Sequence, residues 1–528
     1  MRNTLFLLFA LSAAAAAQVT EAQLRQTPAD PAAWLMYGGE YRAWRYSTLA
    51  QIHAGNVSRL APKWIYQSGL PGRMQATPLI FGGMMYLTAH GNHAFALDLL
   101  TGKPVWRYAK PVPADAKGCC GTPNRGFAAL GERLYKVNFE GTLVALDAKT
   151  GQVLWETEVA SYKAGLSLTA APLVVKNKVI VGMAGAEFGV RGFLDAYDAE
   201  TGKRLWRFYT VPAPGEPGGD TWGPGDAWRR GGGSTWVTGS YDPQLNLLYW
   251  GTGNPAPDMN GDLRPGDNLY TCSVVALDAD TGQYRWHFQF TPHDLHDWDA
   301  TEELPLVDLT VAGKPVKAVL QANRNGFFYT LDRVTGKLLA AKPYTTVTWA
   351  SGLDGSGRPV LTPGQEPSPQ GTRTCPGLGG GHNWQPTAYS PQTGLYYFGS
   401  TDGCQMYYKT EGDYVEGQWY MLSTAGNLPG EPQTGSLIAV DPVTAETKWR
   451  VPLRNAPNGL LATAGGLVFT GDGDGYLVAF DAHTGEIRWR FNTGGGIAAP
   501  PVTYTLRGKQ YLALAAGASV ITFGLPDE

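Results

Sequence analysis

Apolar residues fall in short runs, each broken by one recurring polar turn and followed by a second run that carries a tryptophan. The unit reads small residue, any residue, Asp, two residues, Thr-Gly, three residues, Trp. It occurs at Ala96-Leu97-Asp98 to Trp106, Ala145-Leu146-Asp147 to Trp155 and Ala196-Tyr197-Asp198 to Trp206. It returns at Asp278 to Trp286, Asp441 to Trp449 and Asp481 to Trp489. A seventh copy, at Asp332 with Gly336, has Ala340 where the Trp should stand. Each copy predicts a strand, a turn and a returning strand. The Asp bonds backbone amides inside the turn and the Gly takes positive φ. The Trp packs its large apolar ring against the next unit.

Asp98 to Asp147 is 49 residues and Asp147 to Asp198 is 51, the length of one four-stranded propeller blade. Seven copies and one closing blade predict an all-β, eight-bladed β-propeller with four-stranded blades and tryptophan-docking repeats. The closing blade takes strands from both ends of the chain, with Val502 to Phe523 inside and the strand of Trp64 outside, which removes the exposed sheet edge. The longer intervals hold Gly- and Pro-rich loops near 212–235, 354–382 and 405–435, and loops of that length in a compact domain usually serve function.

Composition agrees with a turn-rich β architecture. Of 528 residues only 16% are charged, and there are 68 glycines, 37 prolines and 17 tryptophans. A net charge of −3 without a basic run offers nothing to attract nucleic acid or anionic membrane. Residues 1–17 hold one positive charge, then an apolar run from Leu5 to an Ala-rich end. They read as a cleaved secretory signal rather than a membrane anchor, being shorter than the ~20 residues of a span. Residues 18–528 then form one exported, periplasmic propeller domain with no integral membrane segment.

Five cysteines are present, at 119, 120, 272, 375 and 404. Export permits disulfides, and the odd count leaves at least one thiol free, for which Cys272, placed in an apolar strand, is the candidate. Gly118-Cys119-Cys120-Gly121 is the sharpest local oddity. The adjacent pair forms either a strained eight-membered disulfide ring or two unpaired thiols. Glu187 after one strand, Asn254 after another and Asp297-Trp298-Asp299 offer the hard oxygens that calcium takes, if blade loops bring them to one axis.

These motifs together resemble the PQQ-dependent alcohol dehydrogenases, the family of methanol and ethanol dehydrogenase. The resemblance rests on the repeat, on the cysteine pair with Asn124-Arg125-Gly126, and on the stretches 185–192, 231–236, 253–255, 291–294 and 323–329. It implies periplasmic oxidation of an alcohol to an aldehyde or ketone by hydride transfer to pyrroloquinoline quinone (PQQ). The Cys119–Cys120 ring is expected over one face of PQQ and Trp236 beneath the other. Gln75, Arg125, Thr169, Gly185, Ala186 and Asn383 are expected to bind the cofactor. Glu187, Asn254, Asp297 and Asp299 are expected to hold the metal, a lanthanide(III) ion or Ca2+. A cation acts there as a Lewis acid, Asp297 as general base, and Arg324 stabilises charge on the quinone oxygen. Cys375 and Cys404 match a second, structural disulfide.

No Cys-x-x-Cys-His motif occurs, so a separate cytochrome c is the expected electron acceptor. An acid two residues after the catalytic Asp resembles the lanthanide-using branch, the alternative being that Asp299 points away and caps a turn. Three departures bear on the site. Gln75 stands where many relatives have Glu, 456–459 lacks a Trp found in some, and His296 replaces a Trp, either lining the substrate entrance or filling a loop. The competing readings are a PQQ-dependent sugar, polyol or aldehyde dehydrogenase and a non-catalytic envelope scaffold, since propellers host many functions.

Overall fold

The computed structural model describes residues 18–26 and 29–526. The predicted signal at 1–17 lies outside the described residues. Eight antiparallel sheets follow one another along the chain. The first blade is Leu79–Phe81, Met84–Thr88, Ala94–Asp98 and Pro104–Tyr108. The next four begin with Ala128–Leu130, Leu173–Val175, Ser240–Asp242 and Leu306–Val311, the sixth with Ala388–Ser390 and the seventh with Asn458–Thr463. The eighth combines Val502–Leu506, Lys509–Ala516 and Ser519–Gly524 with Ala61–Gln67 from the other end of the chain. The outer strand supplied by Trp64 is therefore where the sequence places it.

Every repeat Asp works as expected. Asp198 Oδ1, for instance, accepts from the amides of Glu200 and Thr201 and from the Thr201 hydroxyl at 2.9–3.1 Å. The glycine has a second reason beyond the turn. A methyl group on Gly202 (φ +70°) would lie 2.7 Å from the Trp155 ring of the preceding blade, and one on Gly282 2.6 Å from Trp206. Trp64, Trp106, Trp155, Trp206, Trp286 and Trp449 thus each lie against the turn glycine of the next blade, at Gly102, Gly151, Gly202, Gly282, Gly336 and Gly485. Where blade five carries Ala340 in place of Trp, the facing turn of blade six carries Ala445 in place of Gly, at φ +58°. With no ring to receive, the turn tolerates a Cβ.

The segment from Val19 to Ile52 ties the blades together, a role its sequence does not announce. Trp34 exchanges two backbone hydrogen bonds with Ile80 of blade one, and Val19 two with Gly131 of blade two. The Tyr41 hydroxyl donates to Val174 O of blade three, and Tyr41 O accepts from Tyr241 of blade four. Arg42, Trp44 and Arg45 carbonyls accept from Leu306, Tyr389 and Ala462, and the Ile52 amide donates to Gln510. Inside this strap the wholly buried Arg45 pairs with Glu303 at 2.7 Å.

Because strands alternate in direction, loops entering each innermost strand and loops joining strands two and three share one face. The Asp-x-x-Thr-Gly turns occupy the other. The long loops partly fold. Residues 212–235 contain the short helices Gly219–Trp222 and Ala227–Arg230, while Thr372–Thr374, Gln405–Lys409 and Ser423–Asn427 form a small sheet. Cys375 and Cys404 are disulfide-bonded beside it. Cys272 is free and buried, but sits in a turn one residue before its strand. No helix among the described residues is long and apolar enough to cross a membrane.

Candidate active site

The shared loop face explains how residues far apart in sequence meet. Gln75, Cys119, Cys120, Arg125, Thr169, Trp236, Asp297, Asp299 and Asn383 all lie on loops that run into innermost strands. Glu187, Asn254 and Arg324 lie on loops between second and third strands. A cavity of about 220 Å³ is walled by Gln75, Cys119, Cys120, Arg125, Thr169, Gly185, Glu187, Trp236, Asp297, Asp299, Arg324 and Asn383. Ala186 and Asn254 were expected with them but are buried behind the wall, each 1% exposed. The Asn254 amide side chain donates to Pro255 O at 3.1 Å.

The cysteine pair corrects an expectation: the two sulfurs are not joined. Adjacent cysteines close only a strained ring, and here both remain free thiols. The neighbouring Cys120 thiol, and then burial and the Glu187 carboxylate, hold the proton on Cys119. Both residues still edge the cavity.

Trp236 and Arg125 line the same cavity. The Arg125 guanidinium lies 4.8 Å from the ring of Trp236 and 4.8 Å from that of Trp384, and its Nη1 donates to Thr169 Oγ1 at 2.9 Å. Trp384 directly follows Asn383 and lines the cavity with it; an aromatic next to a residue expected to bind the cofactor was the available signal for it.

The acids meet at Arg324. Its Nη2 is 3.2 Å from Asp297 Oδ2 and its Nη1 3.3 Å from Asp299 Oδ2, while Leu378 O fixes the head at 2.7 Å. Asp299 does not point away to cap a turn. Its Oδ2 accepts from Trp236 Nε1 at 2.7 Å and its Oδ1 from the Asn254 amide at 2.5 Å. Asp297 adopts left-handed backbone, φ +59°, a conformation that clusters at functional sites. Burial pushes its carboxyl well above the usual range, against the pull of Arg324. Glu187 is raised too, by burial and then by Asp299. Burial by itself would lower Arg324, yet Asp297, Asp299 and Glu302 hold it above its ordinary value.

His296 is a packing residue. It stacks on Trp298 at 4.3 Å, meets Tyr407 edge-on, and burial pulls its pKa down to about 4. Sequence reasoning missed Asp258, four residues after Asn254, whose carboxylate is fully buried with no hydrogen-bond partner.

The residues fit a flat, multiply charged cofactor. Gln75 Oε1, Arg125 Nε and Arg324 Nε are buried without partners around the cavity, and aromatic and sulfur groups bound it. Such orphans call for a polar guest. The acids supply hard oxygens suited to calcium-like ions, although no three His, Cys, Asp or Glu side chains among the described residues are preassembled as a metal cluster.

Comparison with known proteins agrees with this geometry. Residues 34–348 and 405–512 match the family described as PQQ: Glucose/ethanol/alcohol dehydrogenase, beta-propeller domain. A quinohemoprotein alcohol dehydrogenase of Pseudomonas putida is 41% identical over 96% of this chain and 76% of its own length. A lanthanide-dependent methanol dehydrogenase of Methylacidiphilum fumariolicum is 39% identical over 92% of this chain and 85% of its own. A europium-containing methanol dehydrogenase structure superposes with a TM-score of 0.89 at 34% identity, covering 96% of this chain and 99% of that one. The chain belongs to the PQQ-dependent alcohol dehydrogenase family, quinoprotein oxidoreductases built on a β-propeller.

Proposed function

We propose that Asp297 is the general base for alcohol oxidation in this cavity, with Arg324 as its charge partner. The observation that carries this reading is the Asp297–Arg324 contact of 3.2 Å at the wall of a cavity bounded by Cys119, Cys120 and Trp236. When bound, PQQ supplies the quinone that accepts hydride equivalents from the alcohol carbon. Glu187, Asn254, Asp297 and Asp299 are the residues that would hold a lanthanide(III) ion or Ca2+ against it. Asp297 Oδ takes the hydroxyl proton, and the fixed guanidinium of Arg324 offsets the negative charge that grows beside it. Trp236 and Trp384 exclude water and orient the flat guest through Arg125 and Thr169.

Residues 18–528 act as one domain, exported to the periplasm by the leader at 1–17, and a separate cytochrome c takes the electrons. A purified chain mixed with PQQ and either lanthanum or calcium should retain a quinone absorption band through desalting. It should then oxidise members of a primary-alcohol panel with a dye acceptor. Asp297→Asn should keep the band and lose turnover by at least about a hundredfold. No retained band and no turnover with any alcohol would mean a scaffold propeller. Turnover confined to sugars or aldehydes would mean the alternative dehydrogenase.

A further inference from the structure

Asp258 is a carboxylate for which the catalytic reading has no use. It is 0% exposed, and neither of its oxygens has a hydrogen-bond partner. A buried ionised group in that condition is expensive unless something charged answers it. The nearest buried cation does not. Arg264 spends its donors elsewhere: Nε on Pro257 O at 3.0 Å, Nη1 on Asn268 Oδ1 at 2.7 Å, and Nη2 on the backbone oxygens of Asp258 and Asp294 at 3.0 and 2.6 Å. The arginine holds the backbone of the loop and leaves the carboxylate free.

That loop is pinned to the catalytic acids at both ends. Its start, Asn254, donates its amide to Asp299 Oδ1. Its turn at Pro257-Asp258 is joined through Arg264 to Asp294, three residues before Asp297. Burial holds the Asp258 carboxyl well above its ordinary range, with Asp297, Glu187 and Asp299 adding to the effect and Arg264 opposing it. Arg324 is already shared by Asp297 and Asp299.

We propose that Asp258 is a further acid of the cation site, meeting the bound ion directly or through one water. Calcium-like ions take about 6–8 oxygens, more than Glu187, Asn254, Asp297 and Asp299 provide with one oxygen each. A trivalent ion gains more from each added carboxylate than a divalent one. Asp258 therefore strengthens the preference for the higher charge. This inference rests on the cation reading of Glu187, Asn254 and Asp297.

Europium(III) alone, titrated into the purified full-length chain and followed by its luminescence, tests it without turnover. Asp258→Asn should weaken europium binding at least about tenfold and narrow the lanthanum-over-calcium preference in competition. The luminescence lifetimes in H2O and D2O should change with it. Asp258→Ser, measured in parallel by the metal-induced rise in melting temperature, should give a smaller rise than wild type, and it covers poor folding of the first variant. Glu187→Gln separates the two levels of the argument. If it binds europium as wild type does, the cation reading itself fails. If Glu187→Gln loses binding while both Asp258 variants keep wild-type affinity and lifetimes, the role of Asp258 is overturned. Unchanged europium affinity with altered KM for amino alcohols would instead make Asp258 a substrate contact.

Discussion

Trp236 donates its indole N–H to Asp299 Oδ2 at 2.7 Å, so the aromatic side of the cavity and the second acid of the Asp-x-Asp pair are one hydrogen-bonded unit. Two roles of Asp299 can therefore be separated. Asp299→Asn keeps an acceptor for Trp236 but removes a charge, while Asp299→Ala removes both. Lanthanum-supported turnover should fall at least about tenfold in both, because a trivalent ion depends most on carboxylate charge. Retention of PQQ through desalting should survive in the Asn variant and weaken in the Ala variant. Unchanged turnover with lanthanum in Asp299→Ala would reject the assignment.

How much of this was legible beforehand depends on what carries the signal. The Asp-to-Trp repeat was readable because each copy meets the same demands, a capped turn and a ring on the next blade, and so repeats in sequence. The strap from Val19 to Ile52 was not, because its partners lie on eight different blades and no local period marks it. Asp258 was passed over because an acid in a Pro-rich loop is ordinarily a cap or a solvated charge; only its burial without a partner makes it unusual. His296 stayed undecided since a lone histidine carries no signal of its neighbours, which turn out to be Trp298 and Tyr407.

The pairing of Ala340 with Ala445 predicts an asymmetry between blades. Gly202→Ala places a Cβ at φ +70° and 2.7 Å from the Trp155 ring. Strain and overpacking each cost roughly 1–3 kcal/mol, so its melting temperature should drop clearly. Ala445→Gly relieves a left-handed non-glycine residue at φ +58° and gives up one buried methyl group, so its melting temperature should change little. Equal drops for the two would break the ring-on-turn account.

Arg45 and Glu303 are 0% and 1% exposed in their side chains and 2.7 Å apart. Breaking such a pair by removing one partner costs about 3–5 kcal/mol, whereas removing both charges can be nearly neutral. Glu303 also accepts from the Thr387 amide at 3.0 Å, so its replacement must keep an acceptor. Arg45→Met should lower the melting temperature strongly, and Arg45→Met/Glu303→Gln should recover most of the loss. If the double variant melts below the single one, the strap is held by more than this pair.

Lys136 gives a pH signature away from the catalytic acids. It is 0% exposed in the strand Arg133–Asn138, its amine bonds Asn138 Oδ1, and burial pulls its pKa down to about 7, with Glu140 and Glu156 opposing. In the unfolded chain a lysine titrates near ~10.4. Below pH 7 both states hold the proton and the folded state bears the full cost of a buried charge. Between about pH 7 and 10 the unfolded chain still holds the proton and the folded one does not, so this group makes stability rise with pH across that window. Lys136→Met removes the group and its slope. The variant should be more stable than wild type at pH 6, with the gap closing steadily toward pH 10 in paired thermal melts. A gap that stays constant with pH would show that Lys136 titrates alike in both states.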